Sequence, residues 1–165
     1  MRKLYLLLIS ILFITTIYGH NNIRIKQMRD SLSFVNDTVK IKMLIRISGI
    51  FNQTNSDSSF HYIKLAVKLA NDIKKPKFQA YSYRGLGIKY KLSGEQKKAE
   101  KDFLKALEFA VKTKDKSIIS SIYNNLGVLY IDMGNFDKAL KYLMNALKIN
   151  KELNEKSDIS RVYKI

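Results

Sequence analysis

Few side chains in this 165-residue sequence could do chemistry, and those that could are scattered. There are two histidines, His20 and His61, and no cysteine. Each histidine stands alone, without the partners that a metal site or an acid–base pair needs, so His61 is interpreted as capping a turn or as solvated. The lack of cysteine excludes disulfides, thiol catalysis and cysteine-ligated zinc.

No other motif supports catalysis. The chain contains no glycine-rich phosphate loop, no nucleophile elbow and no cluster of metal-ligating residues. We therefore predict no enzymatic activity for this segment, no cofactor and no metal, while a catalytic domain beyond Ile165 stays open.

The strongest chemical signal is positive charge. Thirty lysines and arginines against fourteen acidic residues give a net charge of +16. This excess is interpreted as a solvated lysine coat, with attraction to anionic partners or membrane headgroups as the alternative. Only six of the basic residues are arginine, the residue best suited to phosphates and base edges, which argues against nucleic-acid binding.

The first residues have the pattern of a signal peptide. Arg2 and Lys3 precede an apolar run from Leu4 to Tyr18, and Gly19 ends it. Fifteen residues of helix span roughly 22 Å, less than a bilayer core of about 30 Å. Residues 1–19 are therefore expected to direct export and to be cleaved, with an uncleaved anchor or a buried core helix as alternatives.

The rest of the chain is organised by an internal repeat. Ten residues between 83 and 112 recur 40 positions later. The identical pairs include Tyr83/Tyr123, Leu86/Leu126, Gly87/Gly127, Tyr90/Tyr130, Gly94/Gly134, Ala99/Ala139 and Ala106/Ala146, and Phe103 is replaced by Leu143. Tyr83, Leu86, Gly87 and Tyr90 share one helix face, the small alanines recur two turns apart, and the later glycines suit a bend with positive φ. All are predicted to hold pairs of helices together.

This pattern predicts an all-α chain of antiparallel helix pairs. A capping helix is expected within residues 20–36, with apolar residues at helical spacing, followed by repeats at about 38–75, 77–116 and 117–156. The helices of the second and third repeats are placed at 77–92, 96–112, 117–132 and 136–152. The first copy is one residue short, and a partial fourth copy begins at 157.

These residues resemble the tetratricopeptide repeat (TPR) family. The resemblance rests on the leucine–glycine pairs at 86–87 and 126–127, the tyrosines, the turn glycines and the later alanines, although tyrosine replaces the usual tryptophan and the period is long. It implies a right-handed α-solenoid whose concave groove is lined by the first helix of each pair. The overall layout also resembles the exported N-terminal regions of bacterial (Bacteroidetes-type) TPR signalling proteins.

Residues on the first helices that packing leaves free are the candidate groove contacts. They are Tyr81, Arg84, Ile88, Lys91, Asn124, Asn125, Val128 and Asp132. Their alternative interpretation is a solvated face. Some members of that family clamp a peptide's terminal carboxylate, and the resemblance places Arg84, Asn125 and Arg161 at three of the clamp positions. Ile88 and Ile165 stand where two further polar groups would be needed, so a mixed polar and apolar groove is expected.

The sequence thus predicts an exported protein–protein interaction module that binds a peptide or partner protein in its groove, as scaffold or sensor of a larger protein. The alternative is the periplasmic sensory segment of a histidine kinase or transcription regulator whose output domain lies beyond Ile165. A membrane is expected only through an uncleaved signal or a further C-terminal segment. The oligomeric state is not predicted.

Overall fold

Seven helices account for the architecture of the described residues. The computed structural model describes residues 23–52 and 54–162, with side chains as far as Asn154, so the expected signal peptide at 1–19 lies outside it. Helix α1 covers 23–31. The others are α2 (Asp37–Phe51), α3 (Ser56–Asp72), α4 (Pro76–Leu92), α5 (Gln96–Thr113), α6 (Lys116–Asp132) and α7 (Phe136–Val162). None of the described helices is both long and apolar enough to span a bilayer.

The helices form three antiparallel pairs stacked in chain order. Neighbouring helices contact one another throughout α2–α7, most closely within the pairs α2–α3, α4–α5 and α6–α7. First helices of successive pairs also touch, since α2 contacts α4 and α4 contacts α6, whereas no contact joins α3 to α5 or α5 to α7 in the described chain. Successive first helices are therefore closer together than successive second helices. The stack thus curves with α2, α4 and α6 on its concave side.

The repeated residues form the core, as their spacing predicts. Tyr83, Leu86, Phe103, Leu126 and Tyr130 are buried, with the small residues Gly87, Gly127, Ala99, Ala106, Ala139 and Ala146 beside them. Tyr90, Tyr123 and Leu143 are half-buried. The core is continuous from α4 to α7, and a second cluster centred on Ile41, Ile63 and Ala66 joins the first two pairs.

Glycine permits close approach within the second and third pairs. A Cβ built on Gly87 would lie 2.6 Å from the ring of Phe103, and one on Gly127 would lie 2.5 Å from Cγ of Leu143. In the first pair serines replace the small residues: Ser48 Oγ lies 2.9 Å from the carbonyl oxygen of Ser59, to which it donates. A buried hydroxyl is tolerated here because it has a hydrogen-bond partner.

Local chemistry fixes the helix ends. Gly94 and Gly134 adopt φ values of +74° and +71°, the left-handed region expected of them. Asn36 caps α2, since its side-chain carbonyl oxygen accepts a hydrogen bond from the backbone N–H of Val39 at 3.1 Å. Helix α2 therefore begins directly after Asn36.

The third pair ends differently from the prediction. A break was expected between 152 and 157, but α7 continues without interruption to Val162. No glycine or proline occurs between 136 and 162, so no residue type in this stretch forces the helix to end. The proposed start of a fourth repeat at 157 therefore falls inside α7.

Candidate functional site

A cavity of about 460 Å³ opens between α2 and α4 on the concave side. Its apolar lining comes from both first helices and from α3, and its cationic lining comes from α2 and α4. The lining includes Ile45, Ile63, Phe78, Tyr81, Ile88, Gly49 and Gly85 together with Lys42, Lys77 and Arg84. No Asp or Glu lines it. The site thus combines an apolar floor with three positive charges.

Arg84 is the most constrained of these cations. Its Nη1 donates to Oγ of Ser121 on the next first helix, while its buried Nε has no hydrogen-bond partner among the described residues. Burial lowers the pKa of Arg84 from its ordinary value, although the charge interaction with Tyr81 opposes the shift. A buried donor without a partner is costly, so Arg84 is held at a free-energy penalty beside the cavity.

Glycines keep the cavity open. Gly49 has no heavy atom within 4 Å of the position where a Cβ would stand, and a Cβ on Gly85 would lie 2.6 Å from Cδ1 of Ile63. Gly49 therefore leaves free space beside α2, whereas Gly85 lets α4 approach α3 closely. The sequence interpretation identified neither position.

Two of the predicted groove residues contact each other. Lys91 on α4 and Asp132 on α6 form an ion pair with an Nζ–Oδ2 distance of 3.4 Å. Gln96 adds a bridge nearby, because its side-chain amide donates to the Asp132 carbonyl oxygen at 3.0 Å. These residues link successive pairs at the end of the groove, which is a structural role that they can fulfil without any ligand.

The remaining predicted contacts lie on α6. Asn124 is exposed, whereas Asn125 and Val128 are half-buried. The Asn125 side-chain nitrogen is buried and without a hydrogen-bond partner in the described chain. In the 40-residue repeat Asn125 corresponds to Gly85, which faces Ile63 of the preceding pair. Asn125 is thus placed toward the neighbouring pair, and Asn124 is the better candidate for an exposed contact.

The structure adds residues from the first pair that the sequence interpretation did not include. Lys42, Ile45 and Phe78 line the cavity together with Tyr81, Arg84 and Ile88. Lys42 also lies over the ring of Phe78, 6.0 Å from its centroid. The first copy of the repeat is one residue short, so an offset of 39 residues aligns Ile47 with Leu86, Lys42 with Tyr81 and Ile45 with Arg84.

The outer lysines contact aromatic rings. Lys98 lies 5.3 Å from the ring centroid of Tyr90, and Lys138 lies 4.9 Å from that of Tyr130, so the same cation–π contact recurs in two repeats. These side chains are exposed. These lysines therefore keep the convex surface charged, and they cover the rings of Tyr90 and Tyr130, which pack within each helix pair.

His61 lies apart from the groove, in a shallow cleft beside Phe60 and Tyr90. Asp57, one helical turn earlier, lines the same cleft. Within the described part of the chain, no group of three or more histidine, aspartate or glutamate residues could hold a metal ion.

Comparison with known proteins identifies the repeat. Residues 120–153 match the tetratricopeptide repeat family model. This match covers α6 from Ser120 onward and α7 as far as Leu153. No curated protein matches the sequence.

Solved structures of similar fold contain the same kind of helix pairs. BtubC from P. vanneervenii superposes with a TM-score of 0.73 at 20% identity, covering 83% of this chain and 58% of that one. A signal-transduction ATPase with a TPR sensor from Pyrococcus horikoshii gives 0.73 at 21% identity, covering 88% and 23%. The TPR domain of Arabidopsis FLU gives 0.63 at 19% identity, covering 71% and 99%. The chain thus spans about three-fifths and one-quarter of the first two proteins.

At these identities the comparisons establish the fold. A stacked helical repeat of this kind is typical of modules that bind proteins or peptides and of scaffolds without catalytic activity.

Proposed function

We propose that this chain, in which residues 120–153 match the tetratricopeptide repeat model, binds an extended peptide or a partner protein along the concave side formed by α2, α4 and α6. The observation that carries this proposal is the cavity between α2 and α4, with its apolar floor, three cations and no acidic lining residue. Peptide sites of this kind bury apolar side chains and use a few polar groups to fix orientation.

The chemistry of the cavity favours an acidic peptide with an apolar anchor. Ile45, Phe78 and Ile88 would contact the anchor, and the guanidinium of Arg84 would donate to a carboxylate. A charge-assisted hydrogen bond in a partly desolvated site is stronger than one in water. The net charge of +16 would also speed the encounter with an anionic partner.

Export and a sensory role belong to the same proposal. The N-terminal pattern of basic residues, apolar run and Gly19 supports an exported protein. The similarity to a repeat structure whose description includes a TPR sensor favours the second candidate, the sensory segment of a signalling protein with an output domain elsewhere. Trypsin accessibility of the chain in intact source cells, before and after release of the periplasm, tests the location.

The binding proposal is tested with peptides selected from a random displayed library on the immobilised 165-residue chain. Selected sequences are expected to combine acidic residues with a large apolar residue. Replacing Arg84 with Ala is expected to weaken their binding about tenfold or more, since hydrogen bonds to charged groups contribute about 1.5–3 kcal/mol. Calorimetric titration of wild type and variant with one synthetic peptide measures the change.

Arg46→Ala is the matched control. Arg46 lies on α2, is exposed and does not line the cavity, so this variant removes the same charge from a first helix outside the site. Its affinity is expected to stay within about twofold of wild type. Equal losses in the two variants would mean that overall charge alone attracts the peptide, and an unchanged affinity for Arg84→Ala would remove the cavity as the binding site.

A further inference from the structure

Helix α7 carries four large apolar side chains along one exposed face. Phe136, Leu140, Met144 and Leu147 are 69%, 61%, 59% and 55% exposed, and their spacing of four, four and three aligns them along the helix. Apolar side chains scattered singly on a surface are ordinary, whereas a contiguous exposed apolar patch marks an interaction site. These four residues are called the α7 stripe below.

In the preceding pair the corresponding face contacts the next helix. Shifting the α7 stripe back by 40 residues gives Gln96, Glu100, Leu104 and Leu107 on α5. Gln96 donates to the Asp132 carbonyl oxygen, and Glu100 accepts from the Tyr130 hydroxyl, so this face of α5 meets α6. Among helices α2 to α6, only α6 contacts α7. The α7 stripe thus lies on a face that is covered in one pair and open in the next.

The rest of the described surface has no second row of this kind. Its other exposed large apolar side chains lie singly or in twos on the remaining elements: they are Ile23, Phe34, Val39, Leu65, Leu92, Leu104, Val111 and Ile131. The matching surface on a second copy of the chain is therefore the same α7 stripe. A contact between identical surfaces is isologous and has two-fold symmetry.

Charges along one flank of the α7 stripe make it complementary to itself. Asp137 stands at its N-terminal end, and Lys148 and Lys151 stand at its C-terminal end on the same flank. All three are exposed, and none of them forms an ion pair within the described residues. Antiparallel pairing of two α7 helices brings Asp137 of each copy beside Lys148 and Lys151 of the other, whereas parallel pairing brings like charges together. Lys141, also exposed, lies farther round the helix from the stripe.

We propose that two copies of this chain associate through their α7 stripes, with the two α7 helices packed antiparallel. The contact removes four apolar side chains of each copy from water, and the contacts of Asp137 with the two lysines fix the orientation. Because the interface rests on one helix of each copy, it belongs to the small, transient class, and the dimer is expected to exchange with monomer. No residue of the α7 stripe lines the cavity between α2 and α4, so association and peptide binding are separate properties.

Sedimentation velocity of the 165-residue chain over a concentration series tests the proposal, in salt that screens the repulsion between two chains of charge +16. Wild type is expected to shift from monomer to dimer as its concentration rises. Met144→Gln is expected to raise the dissociation constant about tenfold or more, because side chains near the centre of an interface carry most of its binding free energy. Leu104→Gln is the matched control, since Leu104 stands 40 residues before Met144, is 41% exposed and lies outside the α7 stripe.

Charge reversal tests the orientation. Asp137→Lys is expected to raise the dissociation constant about three- to tenfold, since exposed ion pairs contribute modestly and the two-fold symmetry places the change in the interface twice. Adding Lys148→Asp and Lys151→Asp reverses every charge of the flank and is expected to restore the wild-type affinity. Asp57→Lys is the control, because Asp57 is likewise an exposed acid in the first turn of a helix, α3, and lies outside the α7 stripe.

The outcomes separate the proposal from its alternatives. Wild type that stays monomeric at every concentration would overturn it and assign the α7 stripe to a different partner. A dimer that Met144→Gln weakens no more than Leu104→Gln does would also overturn it, by placing the contact on another surface. If Asp137→Lys had the same effect as Asp57→Lys, or if the triple variant did not regain affinity, the antiparallel arrangement would be wrong.

Discussion

Replacing Gly127 with Ala tests whether close packing within a pair explains the repeated glycine. Alanine in place of glycine inside a helix contributes about 1 kcal/mol of stability by propensity alone. The new Cβ would, however, lie 2.5 Å from Cγ and 2.6 Å from Cδ2 of Leu143, and 3.4 Å from the Ala139 carbonyl oxygen. Overpacking of this kind costs about 1–3 kcal/mol. We therefore expect the variant to be roughly 0–2 kcal/mol less stable than wild type, and Gly127→Leu to be less stable still.

Gly49 provides the matched control, because it is also helical but has no heavy atom within 4 Å of a built Cβ. Gly49→Ala is expected to gain up to about 1 kcal/mol from propensity. The two alanine variants should therefore differ by about 1–3 kcal/mol. Urea unfolding followed by circular dichroism measures both, with a shared slope as the check that each unfolds as wild type does.

The clash itself can be removed. Combining Gly127→Ala with Leu143→Ala eliminates the atoms that the new Cβ would meet, so the penalty of Gly127→Ala should shrink in that background, a coupling that a double-mutant cycle measures directly. If Gly127→Ala were as stabilising as Gly49→Ala, the close-packing explanation of the repeated glycine would be refuted.

Two further predictions concern charge. Burial raises the pKa of Asp102 above its ordinary value, against the opposing effects of Lys105 and Lys101, so this group favours the folded state while protonated and loses that contribution as the pH rises through its folded-state pKa. Asp102→Asn is therefore expected to raise the melting temperature at pH 7, and a gain that persisted undiminished below pH 4 would contradict the assignment to charge burial. For the Lys91–Asp132 pair, whose side chains are 25% and 44% exposed, a double-mutant cycle is expected to give a coupling of about 0.2–1 kcal/mol that disappears in 1 M salt; a coupling unaffected by salt would show a contact that is not ionic.

The repeat made much of the fold predictable. Gly87, Phe103, Ala99 and Ala106 were assigned to packing from spacing alone, and they are buried as expected. Helix ends were predictable where a residue type imposes one, as at Gly94 and Gly134. The end of the third pair was not, because no glycine or proline between 136 and 162 forces α7 to end.

The candidate site was predicted less completely. Tyr81, Arg84 and Ile88 do line one cavity, but half of its lining comes from the first pair, in which no contact residue was predicted. Lys91 and Asp132 were predicted as independent contacts and are paired with each other. Both discrepancies arise from contacts between pairs.

The sequence by itself determined the helix pairs and their internal packing. Contacts within a pair join residues at fixed separations, such as Gly87 with Phe103 and Gly127 with Leu143, so the 40-residue period records them directly. Only the tertiary structure decided which side chains meet across pairs, as Arg84 meets Ser121. These contacts depend on how each helix pair packs against the preceding pair. That packing depends on side-chain volumes, which differ between copies of the repeat: glycine occupies position 85, whereas asparagine occupies position 125.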